Sequence, residues 1–90
     1  MVRSKLEIYL GVLEVLALRG PLKLTHITYK AKMNHNVLKR HLNFLIKQNL
    51  VKERTSEDAK VVYAITKVGW KILRYFWEIK QVLQIEQKGV

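Results

Sequence analysis

Between His35 and Gln48 the apolar residues Leu38, Leu42 and Leu45 recur at steps of four and three, the spacing that lines one side of a helix advancing about 100° per residue. On the same wheel Asn36, Lys39, Arg40, Asn43 and Lys47 fall within an arc of about 100° on the opposite side. Each can donate hydrogen bonds and none is acidic. The helix therefore has a core side and a donor-rich outer side, and no other segment constrains the chain as strongly.

The flanking segments supply the rest of a small domain. Ser4 and Glu7 have the spacing of a capping box and predict a helix starting near Lys5. Its core stripe is expected to be Leu6, Leu10, Leu13 and Leu16 or Ala17, ended by Gly20-Pro21. Leu22 and Lys23 read as a short extended connection. Thr25 is the expected N-cap of a second helix running through Lys32, with Ile27 and Ala31 facing inward. Asn34 breaks that helix and can cap the next, which Asn49 ends. Leu50–Thr55 and Lys60–Ile65 read as strands joined by the turn Ser56–Ala59, a β-hairpin.

Thr66 then caps a last helix from Lys67 to about Gln87, with Gly69 in its first turn where the propensity cost is small. This helix has two apolar faces. Trp70, Leu73 and Trp77 are expected to pack on the body of the domain, as core aromatics rather than stacking platforms. Ile72, Phe76, Ile79 and Leu83, flanked by Tyr75 and Val82, form a second seam that a 90-residue domain has no core left to cover. The seam is expected to join two copies of the chain.

Ninety residues make one folding unit, divided here into residues 1–66 and a C-terminal helix, 67–90, partly packed on the domain and partly dimerising. Apolar residues at 49% and charged residues at 27% fit a folded chain. Seventeen Lys and Arg against seven Asp and Glu give +10, which points to an anionic partner. Residues 23 to 54 hold eight of the basic residues and one Glu, so a net +7 lies there. The absence of cysteine excludes disulfides, thiol catalysis and Cys-containing zinc sites. His26, His35 and His41 lack the spacing and acidic neighbours of a metal site. Two serines, few acids and no phosphate-cradling glycine loop argue against an enzyme, and no cofactor is expected. No apolar run reaches the roughly 18 residues of a membrane span. The Leu6–Leu18 stretch, interrupted by Glu7 and Glu14, reads as a helix and not a targeting segment.

The order helix, extended piece, helix, turn, helix, hairpin, helix predicts a mostly α domain with a small β-hairpin. That is the arrangement of a winged helix-turn-helix, whose third helix enters the DNA major groove and whose hairpin reaches the backbone. The stretch Thr25–Val51, followed by a hairpin and by Ile65-Thr-Lys-Val-Gly69, resembles the crenarchaeal 10a family of small basic DNA-binding proteins, over about residues 4 to 86. The resemblance implies a homodimer joined through its C-terminal helices as an antiparallel coiled coil. It further implies binding to double-stranded DNA as a transcriptional regulator or chromatin component, in the cytoplasm on the nucleoid.

Carried onto this sequence, the resemblance assigns Asn36, Val37, Lys39, Arg40 and Asn43 to the outward face and first turns of the recognition helix. Arg40 suits a guanine edge and Asn36 and Asn43 an adenine edge. Lys39 and Lys47 suit phosphates. Tyr29, Lys30 and Lys32 could reach the flanking backbone, and Arg54, Thr55, Ser56 and Lys60 surround the hairpin tip, where Glu57 and Asp58 would oppose phosphate. A winged helix serving as a protein-interaction module in a larger assembly, or binding RNA, would carry many of the same features.

Overall fold

The computed structural model describes residues 4–88, with side-chain surroundings for residues 4–83. Residues 1–3 and 89–90, the outer ends of the two divisions expected from sequence, lie outside the described residues. The elements run α1 (Lys5–Arg19), α2 (Leu24–Ala31), α3 (His35–Lys47), β1 (Val51–Thr55), β2 (Val61–Ile65) and α4 (Lys67–Lys88).

Ser4 caps α1: its hydroxyl accepts from the Glu7 N–H at 3.1 Å and donates to the Glu7 carboxylate at 3.3 Å. Gly20 closes the helix at φ 80°, donating to the Leu16 carbonyl, and Pro21 prevents continuation. The buried residues of α1 are Val12, Leu13 and Leu16. Leu6, expected in the core, is 52% exposed, and Leu10 is half-buried. The first turns of α1 run past the end of the core, so the apolar stripe is buried only where α2, α4 and β2 lie against it.

Leu22 pairs with Tyr63 as an antiparallel bridge, donating and accepting at 3.0 and 2.8 Å. This extra pairing extends the hairpin sheet by one residue and shifts the start of α2. Leu24 is its first residue and Lys23 its N-cap, with no side-chain cap bond, whereas Thr25 lies inside the helix. The α2 helix ends at Ala31, and Lys32 takes the left-handed conformation at φ 53° as its C-cap.

Asn34 caps α3 as expected, its Oδ1 accepting from the N–H groups of Asn36 and Val37 at 2.9 and 3.4 Å. Leu38, Leu42 and Leu45 are fully buried. At the other end Asn49 turns left-handed at φ 62°, the Leu50 N–H reaches the Leu45 carbonyl and the Asn49 N–H the Ile46 carbonyl. That pair of bonds is a Schellman cap, for which asparagine is a natural residue.

β1 and β2 form an antiparallel ribbon with Val51 opposite Ile65 and Thr55 opposite Val61. Leu50 and Lys60 fall just outside the strands. The turn places Ala59 at φ 60°, with Ala59 N–H donating to Ser56 O and Ser56 N–H to Lys60 O. This is the three-residue hairpin loop, a type I turn followed by a left-handed residue.

Thr66 begins α4, its hydroxyl accepting from the Gly69 N–H at 3.0 Å and donating to the Asn49 carbonyl at 2.7 Å. The helix then runs antiparallel along α1. Leu73 is buried, Trp77 packs against the core, and the Trp77 indole N–H donates to the Glu14 carboxylate at 3.1 Å. Trp70 meets Trp77 edge to face at 6.2 Å and stays 38% exposed. The face of α4 assigned to the domain thus does pack there, with Trp70 at its edge. Among the described residues the core is one cluster drawn from all three early helices, both strands and α4. The fold is mostly helical, with a two-stranded wing and a long C-terminal helix, as the element order predicts.

Candidate nucleic-acid interface

The side of α3 opposite its buried leucines is polar and uncovered. Asn36, Lys39, Arg40, Asn43 and Lys47 are all exposed, and Val37 is half-buried. Because Asn34 supplies the cap, the Asn36 side-chain amide is not consumed at the helix start. Neither α2 nor α3 contains an acidic residue, so no carboxylate on these helices offsets the lysines and arginine.

Just before this face, Tyr29, Lys30 and Lys32 are exposed at the end of α2. Tyr29 is 79% exposed, so its ring does not cover the core. The left-handed cap at Lys32 turns the chain from α2 into the Asn34 cap within three residues.

The wing residues separate. Arg54 lies with Lys52 beside Trp70, Pro21 and Ala17 in a cleft between the ribbon and the α1–α4 pair. Lys60 stands at the tip, 3.9 Å from the Asp58 carboxylate, with both side chains exposed. Asp58 is held below the usual carboxylate range, first by the Ser56 hydroxyl, so this acid is partly occupied by its own turn. Lys60 is pushed below the usual lysine range by the close approach of the like-charged Lys23 ammonium. Exposed and screened, Asp58 does not outweigh it.

Lys23 and Lys5 are additions that sequence reasoning missed. The signal for Lys23 was present in the extended Leu22-Lys23 step, which pairs with the wing and carries Lys23 to Lys60. Lys5 joins Tyr9, Val37, Arg40 and His41 around a pocket of about 340 Å³ between α1 and α3. The Tyr9 ring stacks on Phe44 at 4.9 Å and meets His41 edge-on at 5.4 Å. His41 is held below the ordinary histidine value by burial, then by Arg40 and Lys5.

The second face of α4 is divided. Ile72 and Phe76 are half-buried, whereas Tyr75, Ile79, Val82 and Leu83 are exposed by between 47% and 69%. Phe76, Ile79 and Leu83 line an apolar groove of about 540 Å³ along α1, with Leu10 and Leu73 at its base. Among the described residues no helix is long and apolar enough to cross a membrane, and no three acidic or histidine side chains gather as for a metal ion.

Among curated proteins none matches the chain in sequence. Solved structures of similar fold include a MarR family transcriptional regulator from Silicibacter pomeroyi, at 21% identity and a TM-score of 0.81, covering 91% of this chain and 56% of the other. MepR, a transcription regulator of the Staphylococcus aureus multidrug efflux pump MepA, is similar at 15% identity and a TM-score of 0.82, covering 92% and 64%. The apo-Zalpha domain of zebrafish PKZ is similar at 18% identity and a TM-score of 0.67, over 72% of this chain and all of that domain. The chain thus spans little more than half of one of these transcription regulators and under two thirds of the other. The winged helix-turn-helix family model matches residues 2–84, nearly the whole chain, and the protein belongs to the winged helix-turn-helix family.

Proposed function

We propose that the protein binds double-stranded DNA as a homodimer and acts as a transcriptional regulator or chromatin-associated protein, in the manner of the crenarchaeal 10a proteins it resembles. The observation that carries this reading is the outward face of α3, on which Asn36, Lys39, Arg40, Asn43 and Lys47 are exposed with no acid on α2 or α3. A helix presenting only donors opposite a buried leucine stripe suits the electronegative major groove. The description of two neighbours of similar fold as transcription regulators supports the same reading.

In this arrangement Asn36, Arg40 and Asn43 lie nearest the base edges. Lys39 and Lys47 meet phosphates, joined by Tyr29, Lys30 and Lys32 from α2 and by Lys60 from the wing. Arg54, in the cleft with Trp70, makes the least direct approach. Residues 67–90 supply the dimer contact through Tyr75, Ile79, Val82 and Leu83, beside Ile72 and Phe76. Their exposed apolar surface on a helix already packed along its other face supports that assignment. The chemistry requires no enzyme activity or cofactor, and a protein of this kind works in the cytoplasm on the nucleoid.

Selection from a randomised duplex pool at about 0.15 M salt with excess competitor tests the reading, because purely electrostatic binding is weak there. Enrichment of a two-fold symmetric motif identifies a site-specific regulator. Retention without enrichment identifies a chromatin-type protein, and no retention places a protein-interaction module first.

A further inference from the structure

Lys5 and Tyr9, on the first turns of α1, share a pocket with Val37, Arg40 and His41 of α3. Its lining carries an ammonium, a guanidinium, an imidazole and a phenol, and no carboxylate. Glu7, the acid nearest to Lys5 in sequence, lines the groove between α1 and α4 instead and is engaged by the Ser4 hydroxyl at 3.3 Å. Lys5 and Arg40 are exposed and His41 is half-buried, so the pocket has a cationic mouth over an aromatic floor. Like charges gathered without a counter-charge favour an anion between them, and the same crowding contributes to the lowered basicity of His41.

The guanidinium fork and the ammonium point charge together match the oxygens of a phosphate. Val37 and Arg40 also belong to the outward face of α3, so the pocket opens at the edge of the surface assigned to DNA. We propose that this pocket receives a backbone phosphate of the duplex engaged by α3, with Lys5 and Arg40 as its cation pair and the Tyr9 hydroxyl as a neutral donor. The proposal rests on the DNA-binding reading above. It extends the footprint to α1, outside the helix-turn-helix and the wing, and changes one assignment of that reading: Arg40 moves from the base edges to the backbone, leaving those edges to Asn36 and Asn43.

The test is the salt dependence of duplex affinity for the wild-type chain, Lys5→Ala and Lys80→Ala. Lys80 lines the α1–α4 groove and supplies the control for lost charge. Neutralising one phosphate contact contributes about 0.9 to the slope of log affinity against log salt. Lys5→Ala is expected to lower the slope by about 1.8, twice that amount because each copy in the homodimer loses one contact, and to weaken binding equally on unrelated duplexes, with Lys80→Ala unchanged. An unchanged slope in Lys5→Ala while the wild type binds overturns the pocket and leaves the DNA reading standing. Absence of duplex binding by the wild type overturns both. Inorganic phosphate is the second probe: a saturable shift of the His41 ring resonances at sub-millimolar phosphate, without duplex, marks a small-anion site and overturns the assignment to DNA.

Discussion

A β-carbon on Gly69 would collide with the carbonyl oxygen of Leu50 and lie 2.7 Å from Cγ1 of Ile65. The first turn of α4 therefore lies directly against the chain leaving α3, and Thr66 fixes the approach by donating its N–H to Leu50 O and its hydroxyl to Asn49 O. The C-terminal helix is rooted on the end of α3.

Gly69→Ala should consequently destabilise the fold by about 1–3 kcal/mol, the range for overpacking against backbone that cannot move aside. Gly11→Ala provides the contrast. Nothing lies within 4 Å of its added β-carbon, so it should stabilise by about 0.5–1 kcal/mol through helix propensity. Urea denaturation of the two variants beside the wild type measures both.

Ala59→Gly should raise stability by about 0.5–1 kcal/mol. Ala59 holds φ 60° in the wing turn, a conformation that costs a residue with a β-carbon roughly 1–2 kcal/mol, part of which the added unfolded-state freedom of glycine offsets. A rise in the denaturation midpoint at constant slope is the expected readout.

His41 sets a pH dependence of stability. Its folded value lies below 6.5 through burial and then the charges of Arg40 and Lys5, so between the folded value and 6.5 the unfolded chain binds more protons. Stability falls as the pH drops through 6.5 and levels off below the folded value. Denaturation midpoints at pH 7.5, 6.5 and 5.5 should decline across that window, and His41→Gln should decline less.

The apolar strip on α4 should govern association. Ile79→Asp with Leu83→Asp places charges on side chains that are 47% and 50% exposed in one chain, which a single folded copy tolerates and a dimer interface does not. Light scattering at micromolar concentration should give a dimer mass for the wild type and a monomer mass for the double variant. A monomer mass for the wild type would remove the dimer from the account.

The parts of the fold that were legible in the sequence are those decided locally. Leu38, Leu42 and Leu45 are buried as their spacing requires, and Ser4, Asn34 and Thr66 cap as their side chains allow. In α1 apolar residues occur nearly all round, so the neighbours decide which of them is buried: Val12 lies inside and Leu6 outside. The cap at Lys23 follows from the Leu22–Tyr63 pairing, a contact 41 positions apart. Gly69 read as a tolerated glycine because its constraint is the distant carbonyl of Leu50. Within the candidate site, the outward face of α3 was visible from its periodicity. The junctions of Lys5 with Arg40 and of Lys23 with Lys60 arise only when separate elements meet.

The most direct test of the central claim is the affinity of the triple variant Lys39→Glu, Arg40→Glu, Lys47→Glu for a fluorescent duplex at about 0.15 M salt, with circular dichroism verifying that the helices remain. All three side chains are exposed, so the fold should tolerate the change while the charge on the α3 face reverses. The account predicts that duplex binding falls by at least a hundredfold, summing losses of about 1 kcal/mol or more per reversed contact. Unchanged affinity in a folded triple variant would contradict it and would move nucleic-acid binding off α3 altogether.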